Sequence, residues 1–262
     1  MKSPLKDAPL RNPGDTLQKQ ILALIDDKIV TYYFFATFMV IFAGLEWLRY
    51  YNNSEPNPLL FSFVAIVSVA IALWKIVPAF KQIRKLKQGL AGEKSVGQFL
   101  ERLRESGAKV FHDIPCGEFN LDHVVIHSSG IYVIETKTYS KPDKRRPTIT
   151  FNGKSLNFST GIKTDKPLVQ VAAGAMWLRD LIAESTGEKM RVKGVVVFPG
   201  WYIEHTPEAK RSDHWVLNPK ALPAFITNQK PALPTDKVHM VALHLSRYVR
   251  SCDKKTPSFA PA

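Results

Sequence analysis

Cysteine is nearly absent from this 262-residue chain, which holds only Cys116 and Cys252. Two thiols cannot build a disulfide framework, which excludes a stapled secreted scaffold and fits a reducing compartment. Neither has neighbours that suggest a nucleophilic triad, so both read as inert. Acidic residues are also scarce: 23 Asp+Glu stand against 36 Lys+Arg, a formal net charge of +13. Such a balance points to a polyanionic partner, either nucleic acid or an anionic membrane surface. A phosphate-cradling loop is missing, since Gly89 to Gly97 contains no G-K-[S/T], and nucleotide hydrolysis is not expected. There is no helix-turn-helix, zinc-finger or RNA-binding aromatic motif, so little reading of base sequence is expected. The seven histidines show no metal-ligand spacing.

What the chain does have is unevenly distributed. Residues 1–80 carry seven basic and six acidic side chains, a net of +1, and the remaining residues carry a net of +12. The N-terminal portion holds the apolar mass. Ile29 to Leu45 and Pro56 to Trp74 are free of charge over 17 and 19 residues, and crossing a bilayer as a helix takes about 17–25. Aromatic residues cluster at the run ends: Tyr32, Tyr33, Trp47, Tyr50, Tyr51 and Trp74. The run starts too late and is too long for a cleaved signal peptide. A two-helix transmembrane hairpin is therefore expected over 29–80. Lys75, Lys81, Arg84, Lys85 and Lys87 follow the second run, so the positive-inside bias puts both termini in the cytoplasm. Residues 1–28 read as a flexible lead-in and 252–262 as a disordered tail.

The segment 81–251 reads as an α/β (α+β) domain with a mixed sheet. Val96, Phe99, Leu100 and Leu103 share one helical face, so a helix is expected over about 93–105, ended by Gly107. Lys109–Ile114, Leu121–His127, Ile131–Thr138 and Val192–Phe198 read as strands, the middle two as a hairpin around Ser128-Ser129-Gly130. Arg146–Ser159 reads as a second, more exposed hairpin. Pro167–Glu184 and Asp236–Arg250 read as helices, with a short strand at Trp215–Leu217 and a short helix over Pro219–Thr227.

The chemistry concentrates at the first hairpin. Glu135 and Lys137 are two apart on one strand and share a face. A Ser128-Ser129 loop pairs residue 122 with 135, and a Ser129-Gly130 loop pairs it with 137. Either register gathers Asp122, Glu135 and Lys137, with His123 turned to the opposite face for packing or hydrogen bonding. Two carboxylates and a lysine suit metal-assisted phosphodiester hydrolysis. Carboxylate oxygens are hard ligands for Mg²⁺ or Mn²⁺, to which the Thr136 carbonyl could add. Glu93, on the inward face of its helix, and Gln170, near the start of the next, are further candidates for the site. Lys137 to Lys166 has a net charge of +6. Its Lys141, Lys144, Arg145, Arg146, Lys154, Lys163 and Lys166 read as a flexible basic loop for DNA phosphates.

Gly92-Glu93, Leu121-Asp122-His123-Val124-Val125, Ile134-Glu135-Thr136-Lys137 and Pro167-Leu168-Val169-Gln170, in that order, resemble the nuclease-related domain (NERD) family over about residues 90–200. That family is similar to the PD-(D/E)xK, restriction-endonuclease-like superfamily. The resemblance implies a restriction-endonuclease-like mixed sheet flanked by helices and a divalent-metal nuclease site. Asp122 and Glu135 would be metal ligands, Lys137 the catalytic lysine, Glu93 the helical acid and Gln170 the polar helix residue. The expectation is a Mg²⁺-dependent nuclease acting on DNA, or less favourably RNA, anchored in a bacterial inner membrane through 29–80. The alternatives are a non-catalytic module that tethers DNA to the membrane, and a peripheral scaffold whose basic face at 81–87 meets anionic lipid.

Overall fold

Charge-free runs with apolar residues on every side fold as helices without a polar face. The computed structural model describes residues 10–52, 57–142 and 145–255, and both runs are helical in it. Helix α1 (Asp15–Leu24), a π-helical stretch (Ile25–Val30) and α2 (Thr31–Tyr51) run on as one 37-residue rod. Helix α3 (Pro58–Glu101) has 44 residues. Residues 16–88 form one compact unit. Within it, Phe42 stacks on Phe61 with ring centres 6.4 Å apart, and the Trp47 indole donates to Ser62 Oγ at 3.0 Å. Buried alanines recur every seven residues, Ala36 and Ala43 on α2 and Ala65, Ala72 and Ala79 on α3. That period keeps one stripe of each helix on one side. Phe34, Phe63, Ile66 and Trp74 remain exposed. By length and composition, both helices suffice to cross a membrane.

Both ends of the chain are more helical than their sequence suggests. The lead-in expected over 1–28 is helical from Asp15 onward. The last helix, α6 (Thr235–Lys255), takes in the first residues of the expected tail, and 256–262 lie outside the described residues.

The second unit combines, among the described residues, 10–15 with 89–255. Its strands are β1 (Lys109–Pro115), β2 (Asn120–His127), β3 (Gly130–Thr136), β4 (Thr148–Phe151), β5 (Leu156–Phe158), β6 (Lys163–Thr164), β7 (Val192–Val197), β8 (Tyr202–His205) and β9 (His214–Leu217). Helices α4 (Lys166–Thr186) and α5 (Leu222–Thr227) complete it with α6. A five-stranded sheet runs β1-β2-β3-β7-β9, antiparallel through β3 and parallel from β3 to β9. A smaller sheet runs β6-β5-β4-β8.

Alternation along β3 divides the core. Ile131 and Val133 pack with Leu168, Val171 and Leu178 of α4 and with Val241 and Leu245 of α6. Tyr132 and Ile134 pack with Val96 and Leu100 of α3 and with Leu222 and Ile226 of α5. Gly174 lets α4 lie directly on the sheet, because a side chain there would run into Leu121 and Val133. The small sheet joins the first of these cores through Ile149, Phe151, Leu156 and Phe158, all buried. The stretch 146–166 is therefore not a flexible basic loop, and its hairpin is not an exposed one. Its apolar residues alternate inward.

Alternation breaks once. Ile114 and Leu121 share a core with Phe111 and Val124, a parity that regular strands cannot give. Asp113, with φ of 49°, sits inside this break.

Candidate active site

The first carboxylate arrives on α3. The helix expected to begin near residue 93 is the end of a longer one, so Glu93 is an interior residue rather than a first-turn acid. Gly92 lets the helix approach the strand, since a Cβ there would overlap the Thr138 methyl and touch that of Thr136. Gly92→Val is expected to destabilise the fold by about 1–3 kcal/mol through overpacking and to displace Glu93. Denaturant titration of the detergent-solubilised chain measures the loss. A midpoint equal to the parent's would mean that the approach is not tight.

The β2–β3 hairpin takes the two-residue loop, with His127 opposite Gly130. The ladder ends at His123–Ile134, one pair short of Asp122 and Glu135. Asp122 reaches the cluster by another route than direct cross-strand facing. Its carboxylate accepts the backbone N–H of Thr136 at 2.7 Å, beyond the end of the ladder. Glu135 is buried, and its Oε1 lies 2.7 Å from Lys137 Nζ. The half-buried Lys137 is fixed by its own backbone N–H, which donates to Val197 O at 2.9 Å.

Three carboxylates and one lysine leave an excess of negative charge. Burial pushes the Asp122 carboxyl well above the usual range, and Glu135 and Glu93 push it further, against the Thr136 N–H and Lys137. Burial raises Glu135 as well, opposed by Lys137. Glu93 is raised to about 7 by burial, then by Asp113 and Glu135, with Lys137 opposing. Beside them the Thr136 hydroxyl is buried without a hydrogen-bond partner. Among the described residues, no group of three or more His, Cys, Asp or Glu side chains is arranged to hold a metal ion.

Asp113 is the residue that sequence reasoning missed. It is buried, accepts from Asn120 Nδ2 at 2.9 Å, and lies 3.7 Å from the Arg11 guanidinium. Arg11 also donates to the Asp113 carbonyl and to Asp253 Oδ1. The one available signal was an acid between His112 and Ile114 in a strand whose residues are mostly buried. Gln170, the fifth residue of α4, is exposed, and no hydrogen bond joins it to the carboxylates. His123 is fully buried, with its Nδ1 2.8 Å from that of His112. Of the basic residues, Lys141, Arg145, Arg146, Lys154, Lys163 and Lys166 are exposed, and Lys144 lies outside the described residues.

Residues 88–199 match the family model of the nuclease-related domain, NERD. The mixed sheet flanked by helices fits a restriction-endonuclease-like fold. Among solved structures the chain is similar to SfsA of Pyrococcus furiosus in complex with Ca²⁺, at 18% identity and a TM-score of 0.27. The match covers 49% of this chain and 54% of that one, so the chain spans about half the length of that structure. No curated protein matches the sequence.

Proposed function

We propose, from the premise that residues 88–199 form a nuclease-related domain, that this protein is a divalent-metal-dependent nuclease held in the membrane by a helical hairpin. Its substrate is DNA, whose phosphodiester bonds it hydrolyses on the cytosolic side. The observation that carries the reading is the gathering of Glu93, Asp122 and Glu135, all raised by burial, around Lys137, whose Nζ lies 2.7 Å from Glu135 Oε1. Carboxylates crowded in this way are poorly compensated by the protein alone.

The donor chemistry fits Mg²⁺ or Mn²⁺. Mg²⁺ is commonly held by one or two carboxylates, with waters and substrate phosphate oxygens completing its shell. Asp122, Glu135 and the Thr136 carbonyl would hold the ion. When bound, it polarises a phosphoryl oxygen and lowers the pKa of a water. Lys137, fixed by Glu135 and by its backbone bond to Val197, orients the attacking water or neutralises charge developing on the phosphate. Glu93 adds a further carboxylate at the edge of the cluster, and its raised proton affinity suits it to hold or pass a proton near neutral pH. Lys141, Arg145, Arg146, Lys154, Lys163 and Lys166 present positive charge to the phosphate backbone without reading sequence. Gln170 could join only through a bridging water.

The membrane part rests on the two apolar helices and on where the chain returns. Residues 10–15, which precede the first span, pack in the same unit as 89–255, which follow the second. Two crossings satisfy this and one does not. The Lys and Arg residues at 75–87 support a cytosolic assignment of that shared side through the positive-inside bias.

The test uses the full chain in detergent with plasmid and oligonucleotide DNA. Cleavage is expected with Mn²⁺ or Mg²⁺ and not with EDTA, and Asp122→Ala is expected to reduce it by about 10²-fold or more. Equal cleavage by parent and variant would refute the site. DNA binding without cleavage under any divalent ion would favour the tethering alternative.

A further inference from the structure

A groove of about 640 Å³ opens on the second unit, within the range of about 300–1,000 Å³ typical of ligand sites. Arg146, Trp201, Tyr202, Asn218, Lys220 and Phe225 are among its lining residues. It differs from an ordinary surface dent in three ways. Two aromatic rings stay exposed in it, Tyr202 at 46% and Phe225 at 42%. The Arg146 guanidinium lies over the Tyr202 ring, 3.9 Å from its centre. No acidic side chain lines it among the described residues, whereas Arg146 and Lys220 do.

These rings are held in place. Phe225 packs edge-on against Trp215, 5.8 Å between centres, and Trp215 stacks on Tyr132. Tyr202 is fixed by its backbone N–H donating to Pro147 O at 2.8 Å and by the parallel pairing of β8 with β4. Trp201 is buried, and its indole N–H has no partner.

The groove also has an address. Parallel pairing aligns Thr136 with Val197 and Val197 with Leu217. Glu135 and Lys137 are thus at the carboxyl end of β3, Gly200 and Trp201 follow β7, and Asn218 and Lys220 follow β9. Two strand spacings, roughly 10 Å, separate the ends of β3 and β9. Lys141, four residues past Lys137, lies against Gly200 on the groove lip, where a side chain would displace its ammonium. Ligands of such sheets bind beyond the carboxyl ends of the parallel strands.

We infer that this groove binds single-stranded DNA, with Tyr202, Phe225 and the Arg146 guanidinium as stacking surfaces for unpaired bases and Lys220 and Lys141 facing the phosphates. The inference rests on the nuclease reading, whose substrate it narrows to a strand with unstacked bases. Paired bases present no free face to an aromatic side chain, whereas a basic groove with exposed rings suits single strands of any sequence.

Binding is measured by fluorescence anisotropy, with labelled 12-nucleotide strands and the full chain in detergent. EDTA is present, so no cleavage enters. Tyr202→Ala and Phe225→Ala are each expected to weaken single-stranded DNA binding by about 5- to 150-fold and to leave duplex binding within twofold. Tyr202→Phe, which keeps the ring, is expected to bind like the parent. Alanine variants that bind within twofold of the parent would overturn the inference, and so would tighter binding of duplex or of RNA of the same sequence. Because the readout is metal-free, failure of the groove would leave the cleavage result untouched, and failure of cleavage would leave the groove result standing.

Discussion

Lys137→Ala should cut Mn²⁺-supported DNA cleavage by about 10²–10⁴-fold, the usual contribution of a positioned proton-transfer or charge-stabilising group. The expectation follows from geometry. The ammonium is 2.7 Å from Glu135 Oε1 and lowers the proton affinity of Asp122, Glu135 and Glu93 alike. Removing it leaves Glu135 buried beside two other acids, so the metal-free variant should also lose stability. The two effects separate in the assay. If Lys137 were only a counter-charge for Glu135, saturating Mn²⁺ would take its place and cleavage would recover. Persistent loss at saturating Mn²⁺, with Mn²⁺ affinity near that of the parent, is the signature of a role in the reaction. Full recovery would reduce Lys137 to a structural ion-pair partner.

The second large effect concerns Glu93 and pH. A carboxyl whose pKa rises from 4.5 unfolded to about 7 folded binds more protons in the folded state between those values. Stability then falls as pH rises through that window. Below about 4.5 the penalty is absent, and above about 7 it is complete, at roughly 3 kcal/mol. The metal-free chain should therefore melt lower at pH 8 than at pH 5.5. Glu93→Gln, which removes the charge, should raise the pH 8 melting temperature by on the order of 5–10 °C and flatten the pH dependence. The same substitution should slow cleavage, because the group whose charge strains the metal-free fold is one the site uses. Mn²⁺ at pH 8 should restore much of the parent's stability by neutralising the cluster. Parallel melting curves for parent and variant across pH 5.5–8 would show that Glu93 carries no such strain.

Much of the site was legible because its chemistry sits on a local element. The Ser128-Ser129 loop sets the pairing of His127 with Gly130, and a two-residue period does the rest for Glu135 and Lys137. The route of Asp122 into the cluster was not legible, because it depends on where the ladder stops and on a break in alternation around Asp113. Asp113 itself needs Arg11, about a hundred residues away, to become part of the story. The small sheet was read only in part: the hairpin expected over Arg146–Ser159 is the β4–β5 pair, but its burial and its pairing with β6 and β8 were not foreseen. Its strands are four, three and two residues long, and β4 pairs with β8 from beyond α4 and β7. Short strands among lysines look like loop until a distant partner covers their apolar face. Gln170 shows the opposite case. Its place in a motif suggested the site, yet the buried stripe of α4 passes through Leu168 and Val171 and leaves it exposed.

The bond from Arg11 to Asp253 joins residues 242 apart in a chain of 262. Because Arg11, Pro13 and Gly14 pack beside Asp113, Gly97 and Glu93, the domain begins before the apolar helices and resumes after them. The hairpin is therefore an insertion into a folded domain rather than a leader in front of one. Cutting the chain at residue 81 would discard part of the domain along with most of the apolar helices. Excising 16–88 and rejoining the ends would keep the domain whole.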